Sequence, residues 1–228
     1  MVCTLGPASA SEEVIRKLVD AGLHMARVNM SHGTRDEHRR AIETVRRVAA
    51  DVERPVAVLA DLSGPKIRVG GLEEPVELVP GSTVTLAPEG RAGPGDIPMT
   101  YDHLAEEISP GDPVLLNDGL LALECLEVDG SNTRLRVERG GTLESGKGIN
   151  VPGSLGHAPA LTAKDLDDLE FALDVGVEYV GLSFVRRPAD VATLRDRVGG
   201  RALVVAKIEK AQALSSIEEI LAETDAVM

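Results

Sequence analysis

A lysine and a glutamate stand two residues apart in "VVAKIEKA", Lys207 and Glu209, directly after an apolar run. If a β-strand covers 202–206, side chains at i and i+2 share one side, so an ammonium and a carboxylate project together. A surface ion pair would contribute only ~0–1 kcal/mol. The chemical alternative is a charge-stabilising lysine beside a metal-binding carboxylate. Similar polar sets follow two other apolar runs: Arg27, Asn29 and Ser31 in "ARVNMSHG", and Asp61, Lys66 and Arg68 in "ADLSGPKIR". Arg27 and Arg68 suit bidentate recognition of phosphate. Asp61, Asn29 and Ser31 offer oxygen ligands for a hard monovalent or divalent cation, and Glu209 offers a further carboxylate. Lys207 in such company can stabilise a developing oxyanion or phosphoryl charge. The combination points to phosphoryl transfer, in which positioning and electrostatics supply most of the catalysis. Each residue also has a plainer role open to it. Arg27 can be a structural ion-pair partner, Asn29, Ser31 and His32 can cap the next helix, and Asp61 can cap the turn at Ser63.

Such groups converge only if the right elements hold them. Up to residue 69 the chain alternates strands and helices: "MVCTL", "HMARVNM" and "PVAVLADL" read as strands. "SEEVIRKLVDAG" is an amphipathic helix stopped by Gly22, and Thr34 with Glu37 makes a capping box that opens a second helix. From about 70 to 156 the pattern changes to short strands such as "STVTLA", "DPVLLN", "LALECLEV" and "TRLRVERG", separated by turn residues. "APEGRAGPGDIP" reads as a loop, and "YDHLAEEI" as the one short helix. Alternation resumes at "ALTAKDLDDLEFALDVG", with Thr162 and Asp165 as a second capping pair. Strand "VEYVGLSFV", a helix over 188–198, strand "ALVVAKI", a helix over 211–221 and strand "DAVM" follow. Six βα-type strands with an insertion after the third predict an incomplete (β/α)8 TIM barrel carrying a small antiparallel β-barrel domain. An open doubly wound sheet is the structural alternative. The expected parts are 1–69 and 157–228 for the barrel and 70–156 for the insertion. Functional groups at the C-terminal strand ends are what such a barrel requires.

Composition narrows the partners. The 228 residues carry 24 basic against 37 acidic side chains, a net charge of −13. That opposes non-specific contact with nucleic acid or anionic membrane. With two Phe, two Tyr and no Trp, the core is aliphatic and base-stacking platforms are lacking. Cys3 and Cys125 form neither a disulfide framework nor a CxxC pair, and no long apolar run or leader is evident, so a cytoplasmic location is expected. His24, His32 and His157 have no metal-ligand spacing. Neither GxxxxGK[ST] nor GxGxxG occurs, which removes two common nucleotide sites.

Seven segments, in order and with matching spacing, resemble the pyruvate kinase family: "CTLGPAS", "ARVNMSHG", "ADLSGPKIRVG", "GKGINVPG", "ALTAKDLDDLEFAL", "YVGLSFVR" and "VVAKIEKAQAL". The resemblance covers essentially the whole chain. It implies phosphoryl transfer between phosphoenolpyruvate and ADP, giving pyruvate and ATP in glycolysis. Arg27 and Lys207 would then bind the transferring group, Lys207 also facing the enolate oxygen. Glu209 would ligate Mg2+, and Arg68 and Lys147 would serve the nucleotide phosphates. Asn29, Ser31, Asp61 and the Leu62 carbonyl match the family's monovalent-cation site. The insertion would be a mobile lid that delivers Lys147, with hinges near 70–71 and 151–156. The full-length protein would be a homotetramer.

Departures from the family pattern carry their own expectations. A motif "ARGDLG", which supplies a second Mg2+ carboxylate, would begin after Met228, so the chain reads as a fragment that is inactive alone. Leu62, Ser63 and Lys66 stand where the potassium-requiring branch has Thr, Lys and Glu. A Lys66 ammonium supplies positive charge that K+ would otherwise provide, so K+ is expected to be dispensable. Two other readings stay open: a Schiff-base aldolase or lyase barrel using Lys207, and a non-catalytic fragment that binds nucleotide or a partner.

Overall fold

The computed structural model describes residues 1–152 and 159–228. Outside them fall His157 and the 153–156 part of the second expected hinge. The chain divides into two compact units, Met1–Pro65 with Pro159–Met228, and Lys66–Ala158. Along the sequence come β1 (Val2–Leu5), α1 (Glu12–Asp20), β2 (Met25–Asn29), α2 (Arg35–Asp51) and β3 (Ala57–Asp61). The second unit contributes β4 (Val76–Leu78), β5 (Thr83–Pro88), β6 (Ile97–Met99), α3 (Leu104–Glu107) and β7 (Pro113–Leu116). It continues with β8 (Leu121–Asp129), β9 (Asn132–Arg139), β10 (Gly141–Leu143) and β11 (Ile149–Asn150). The first unit resumes with α4 (Ala163–Asp174), β12 (Tyr179–Leu182), α5 (Pro188–Val198), β13 (Leu203–Ala206), α6 (Ile217–Glu223) and β14 (Ala226–Val227).

The six strands of the first unit form one parallel sheet in the order β1-β2-β3-β12-β13-β14, the curled arrangement of a partly closed (β/α) barrel. Helices form where caps and apolar spacing agree. In α2 the Thr34 hydroxyl accepts from the Glu37 amide at 3.3 Å, and the Glu37 carboxylate accepts from the Thr34 amide at 2.7 Å. Ala41, Ile42, Val45 and Val48 form its buried stripe. The Thr162–Asp165 pair caps α4 in the same way, and Gly199 closes α5 in the left-handed conformation. One element departs from its expected form. Residues Ala211–Ser216 make a 3-10 turn before α6. There the Ser215 hydroxyl donates to the Gln212 carbonyl at 2.7 Å, a local bond that competes with helix continuation.

Strand alternation sorts the barrel side chains. Ala26, Val28, Val58, Ala60, Val180, Leu182, Val204 and Ala206 pack in one aliphatic core with the helices. The alternate positions, Thr4, Arg27, Asn29, Leu59, Asp61, Gly181, Val205 and Lys207, occupy the other face.

The second unit has a two-stranded β4–β10 ribbon and a sheet in the order β11-β7-β8-β9-β5-β6, antiparallel except for the β5–β6 pair. β6 begins in the last two residues of the stretch expected to be a loop, 87–98. Pro98 sits at its centre, which an edge strand tolerates because no ladder donor is needed on the outer side. Its own aliphatic core includes Ile67, Leu86, Met99, Leu123 and Leu135. Cys125 lies in that core, and burial pushes its thiol pKa up. Gly70 and Gly71 lie inside this unit, their amides donating to the Pro98 carbonyl at 2.7 Å and the Glu89 carboxylate at 3.3 Å.

Candidate active site

Parallel register sets Arg27 beside Thr4 and Leu59, and Asn29 beside Asp61. Gly181 is the neighbour of both Asp61 and Val205. A methyl group at Gly181 would lie 3.3 Å from Asp61 Oδ1, so the missing side chain gives the carboxylate its room. Lys207 follows β13 and hydrogen-bonds through its backbone to the Leu182 carbonyl at 3.0 Å. That extends the strand pattern far enough to aim its ammonium along the same face as Asp61.

Asp61 is the hub. Its Oδ2 accepts from Arg27 Nε at 2.7 Å and Nη2 at 2.5 Å, while Lys207 Nζ lies 3.0 Å from its Oδ1. The side chain of Asp61 is 2% exposed, that of Lys207 11% and that of Arg27 24%. Two cations share one buried carboxylate at the strand ends. Beside Asp61, the Lys207 ammonium meets the Ser183 hydroxyl at 2.8 Å and Glu209 Oε1 at 3.4 Å. Its pairing with Glu209 is therefore the outer part of a network anchored on buried Asp61 and not an isolated surface bridge. Arg27 Nη1 also donates to Thr4 Oγ1 at 2.7 Å.

The oxygen groups lie alongside. Asn29 Oδ1 accepts from the Ser31 amide at 3.0 Å, and the Ser31 and Ser63 hydroxyls are 3.2 Å apart. The Leu62 carbonyl accepts from Ser183 Oγ at 2.6 Å. Neither Asn29 nor Ser31 caps the following helix, since Thr34 does that. Asp61 does not cap the turn at Ser63 either. The Gly64 amide donates to Asp165 Oδ1 at 3.0 Å, so the capping carboxylate of α4 also fastens this turn. After β2 the loop is held by Lys164, whose Nζ donates to the Met30 carbonyl at 2.7 Å.

Three residues escape a reading by side-chain chemistry. Ser183 links Lys207 to the Leu62 carbonyl, and its only sequence signal is a hydroxyl directly after an apolar strand. Phe184 adopts φ +57° and donates its amide to Glu209 Oε2 at 3.0 Å. A bulky side chain in the left-handed region costs on the order of 1–2 kcal/mol, and nothing in the sequence announces it. Asp165 looks like a helix cap and is one, with a second task.

Arg68 and Lys147 lie together in the second unit. Arg68 Nη1 donates to the Gly146 carbonyl at 2.8 Å, and the Val69 amide donates to the Lys147 carbonyl at 2.8 Å. Lys147 Nζ pairs with Glu144 at 3.0 Å. Lys66 begins the same unit and is exposed.

Parallel βα strands ending in paired cations around a buried carboxylate define a (β/α)-barrel protein. The chain belongs to the pyruvate kinase family: the model of the pyruvate kinase barrel domain matches residues 1–228. It is 45% identical over 233 residues to the pyruvate kinase of Mycobacterium intracellulare, covering all of this chain and 49% of that protein. It is 42% identical to those of Corynebacterium glutamicum and Agrobacterium vitis, again over the whole chain and 49% and 48% of theirs. The chain thus spans about half the length of the curated relatives it matches. Among the described residues no helix is long and apolar enough to cross a membrane.

Proposed function

We propose that the protein, at its natural length, transfers the phosphoryl group of phosphoenolpyruvate to ADP, and that Arg27 and Lys207 are its phosphoryl-binding residues. The observation that supports this is the convergence of both cations on buried Asp61 at the strand ends. In the reaction the bond between the enol oxygen and phosphorus breaks, and one forms between phosphorus and an oxygen of the ADP β-phosphate. The enolate then takes a proton at carbon to give pyruvate. Charge accumulates on the equatorial phosphoryl oxygens and on the enolate oxygen. Arg27 offers the former the N–H groups that Asp61 and Thr4 leave over, and Lys207 is assigned to both. Neither residue has to reorganise, because Asp61 and Ser183 already orient both donors.

Glu209 is the carboxylate in this set that suits Mg2+. It is a hard oxygen ligand, 36% exposed, with one oxygen fixed by the Phe184 amide. Bound Mg2+ would neutralise charge on substrate oxygens. No group of three or more His, Cys, Asp and Glu side chains gathers among the described residues, so Glu209 supplies one part of a coordination shell. Asn29, Ser31, Asp61 and the Leu62 carbonyl fit a monovalent cation by donor type. Two cationic side chains already answer the Asp61 charge, and Lys66 adds another positive charge in sequence, so K+ is read as dispensable. Arg68 and Lys147 are assigned to the nucleotide phosphates, with the Lys66–Ala158 unit as the lid. The cytoplasmic location and the tetramer belong to the same proposal, and sedimentation of the full-length protein tests the latter.

The experiment is Lys207→Ala in the full-length protein, assayed by pyruvate formation from phosphoenolpyruvate and ADP. Loss of one charge-stabilising donor predicts a fall of about 10²–10³ in kcat. Turnover within tenfold of the parent would sink the assignment. The Schiff-base reading needs a free amine where Lys207 Nζ forms ion pairs with Asp61 at 3.0 Å and Glu209 at 3.4 Å, which weighs against it. Borohydride trapping with pyruvate, giving a stable adduct at Lys207, would reinstate it.

A further inference from the structure

Four residues other than glycine have positive φ among those described: Glu53, Asn117, Asp118 and Phe184. Asn and Asp adopt this conformation readily, and Glu53 ends a helix at the surface. Phe184 has no such excuse. It is the second residue after β12, between buried Ser183 and buried Val185, and its amide is turned onto Glu209 Oε2 at 3.0 Å. The other oxygen of that carboxylate lies 3.4 Å from Lys207 Nζ. Glu209 is thus gripped at both ends, by an ammonium and by a strained amide.

The neighbourhood holds the strain in place. A methyl group at Gly64 would lie 2.9 Å from Phe184 Cδ2 and 3.0 Å from Ser183 Cβ, so the ring and the strand end seat directly on the glycine. Gly64 itself has φ +68° and is fastened by its amide to Asp165 Oδ1. Lys210 Nζ stands 5.7 Å from the centre of the Phe184 ring. Backbone strain that surrounding structure enforces, pointed at a carboxylate in a candidate active site, calls for a functional reading.

We propose that Phe184 is a positioning residue for the metal-binding carboxylate: its left-handed backbone aims the amide that fixes the orientation of Glu209. The inference rests on the reading of Glu209 as a Mg2+ ligand. What matters is the backbone conformation and its N–H, with the ring serving to seat them on Gly64. Glycine adopts positive φ freely, whereas a β-branched residue resists it most. The proposal therefore makes an ordering opposite to the one ring packing alone would give.

The test is titration of the full-length protein with Mn2+ as the probe, read from the electron paramagnetic resonance signal of the free ion. Phe184→Gly keeps the amide where it is and should bind Mn2+ within threefold of the parent. Phe184→Val retains more apolar volume but should swing the amide away, and it should bind at least tenfold more weakly. Replacing residue 184 by phenyllactic acid keeps the ring and removes only the N–H, and should also weaken binding. Valine binding as well as glycine, or the ester binding with parental affinity, would overturn the proposal. If circular dichroism shows that the valine variant does not fold, the ester decides alone. Glu209→Gln separates the two levels. Parental Mn2+ affinity in that variant would remove the metal role itself, whereas weakened binding there beside an unaffected ester would remove only the role of Phe184.

Discussion

Replacing Asp61 by Asn preserves volume and removes one negative charge from beneath two cations. In the parent, Arg27 gives Asp61 two hydrogen bonds and Lys207 a third, all in a region from which water is largely excluded. The amide that replaces the carboxylate keeps one weaker acceptor and turns an NH2 toward donors. Removing one member of a buried charge pair typically costs about 3–5 kcal/mol, because the remaining charge is left without a counter-ion. Arg27 is 24% exposed and recovers part of its hydration, while Lys207 keeps Ser183 and Glu209. Both facts place the expected loss at the lower end, about 3 kcal/mol. For domains of this size that corresponds to a fall in Tm of roughly 6–12 °C.

Scanning calorimetry on the full-length parent and on Asp61→Asn measures it. The triple variant Asp61→Asn, Arg27→Met, Lys207→Met removes the stranded cations as well, and should recover much of the loss because the charges depend on one another. A single variant melting within about 2 °C of the parent would show that the cations are hydrated and the hub is not a hub. A triple variant less stable than the single losses combined would refute the reasoning equally, since it would mean that Arg27 and Lys207 stabilise the fold through contacts other than Asp61.

Glu209→Gln should raise the Mg2+ concentration needed for half-maximal activity of the full-length protein, and an unchanged titration would count against the ligand role. Activity should be nearly equal in K+ and in tetramethylammonium, because Arg27 and Lys207 already answer the Asp61 charge and Lys66 adds a further cation in sequence; a tenfold activation by K+ would show that the chain's own cations do not substitute for the ion. His38 packs near Gly33, and desolvation there lowers its pKa below 6.5, against the opposing influence of the His32 backbone, Asp168 and Glu37. The unfolded chain therefore binds the proton at higher pH, so this group's stability contribution is complete above 6.5 and is lost as pH falls toward the folded value. His38→Gln should flatten the decline of the urea midpoint as pH falls below 6.5, and an unaltered decline would remove His38 as its source.

The elements of the barrel were readable because each carries two agreeing signals. In the 35–51 helix, Thr34 and Glu37 mark the start and the Ala41, Ile42, Val45, Val48 stripe marks the buried side. The strands ending at Asp61 and Ala206 show as apolar runs broken by charge. What the sequence does not display is partnership. That Arg27 and Lys207 meet on Asp61 follows from the register of four parallel strands, β2, β3, β12 and β13, which the local pattern leaves undetermined. Pro98 concealed an edge strand, since its use depends on which side of the sheet it faces. Ser183 and Phe184 concealed themselves for different reasons. A hydroxyl at a strand end is too common to signify, and the sign of φ at a phenylalanine has no signature in residue type.

The places where the chain breaks its own rules nevertheless fall together. "AVLAD" and "LVVAK" are aliphatic strands that end in buried charge, although a buried ionic group is often less stabilising than an apolar one of equal volume. Gly181 interrupts an apolar strand and makes room for Asp61. Phe184 holds a conformation that its side chain opposes, and Gly64 accommodates its ring. Any one of these is an ordinary local cost with many possible origins. Gathered around two carboxylates that Lys207 joins, they are not independent accidents, because relaxing any one moves the others: Asp61 needs the space at Gly181, Lys207 needs Asp61 and Ser183, and Glu209 needs Lys207 and the amide of Phe184. A fold selected for stability alone would fill this face with leucine and valine. The geometry that replaced them keeps two cations and a carboxylate aligned before any substrate arrives, which is what preorganised charge stabilisation requires.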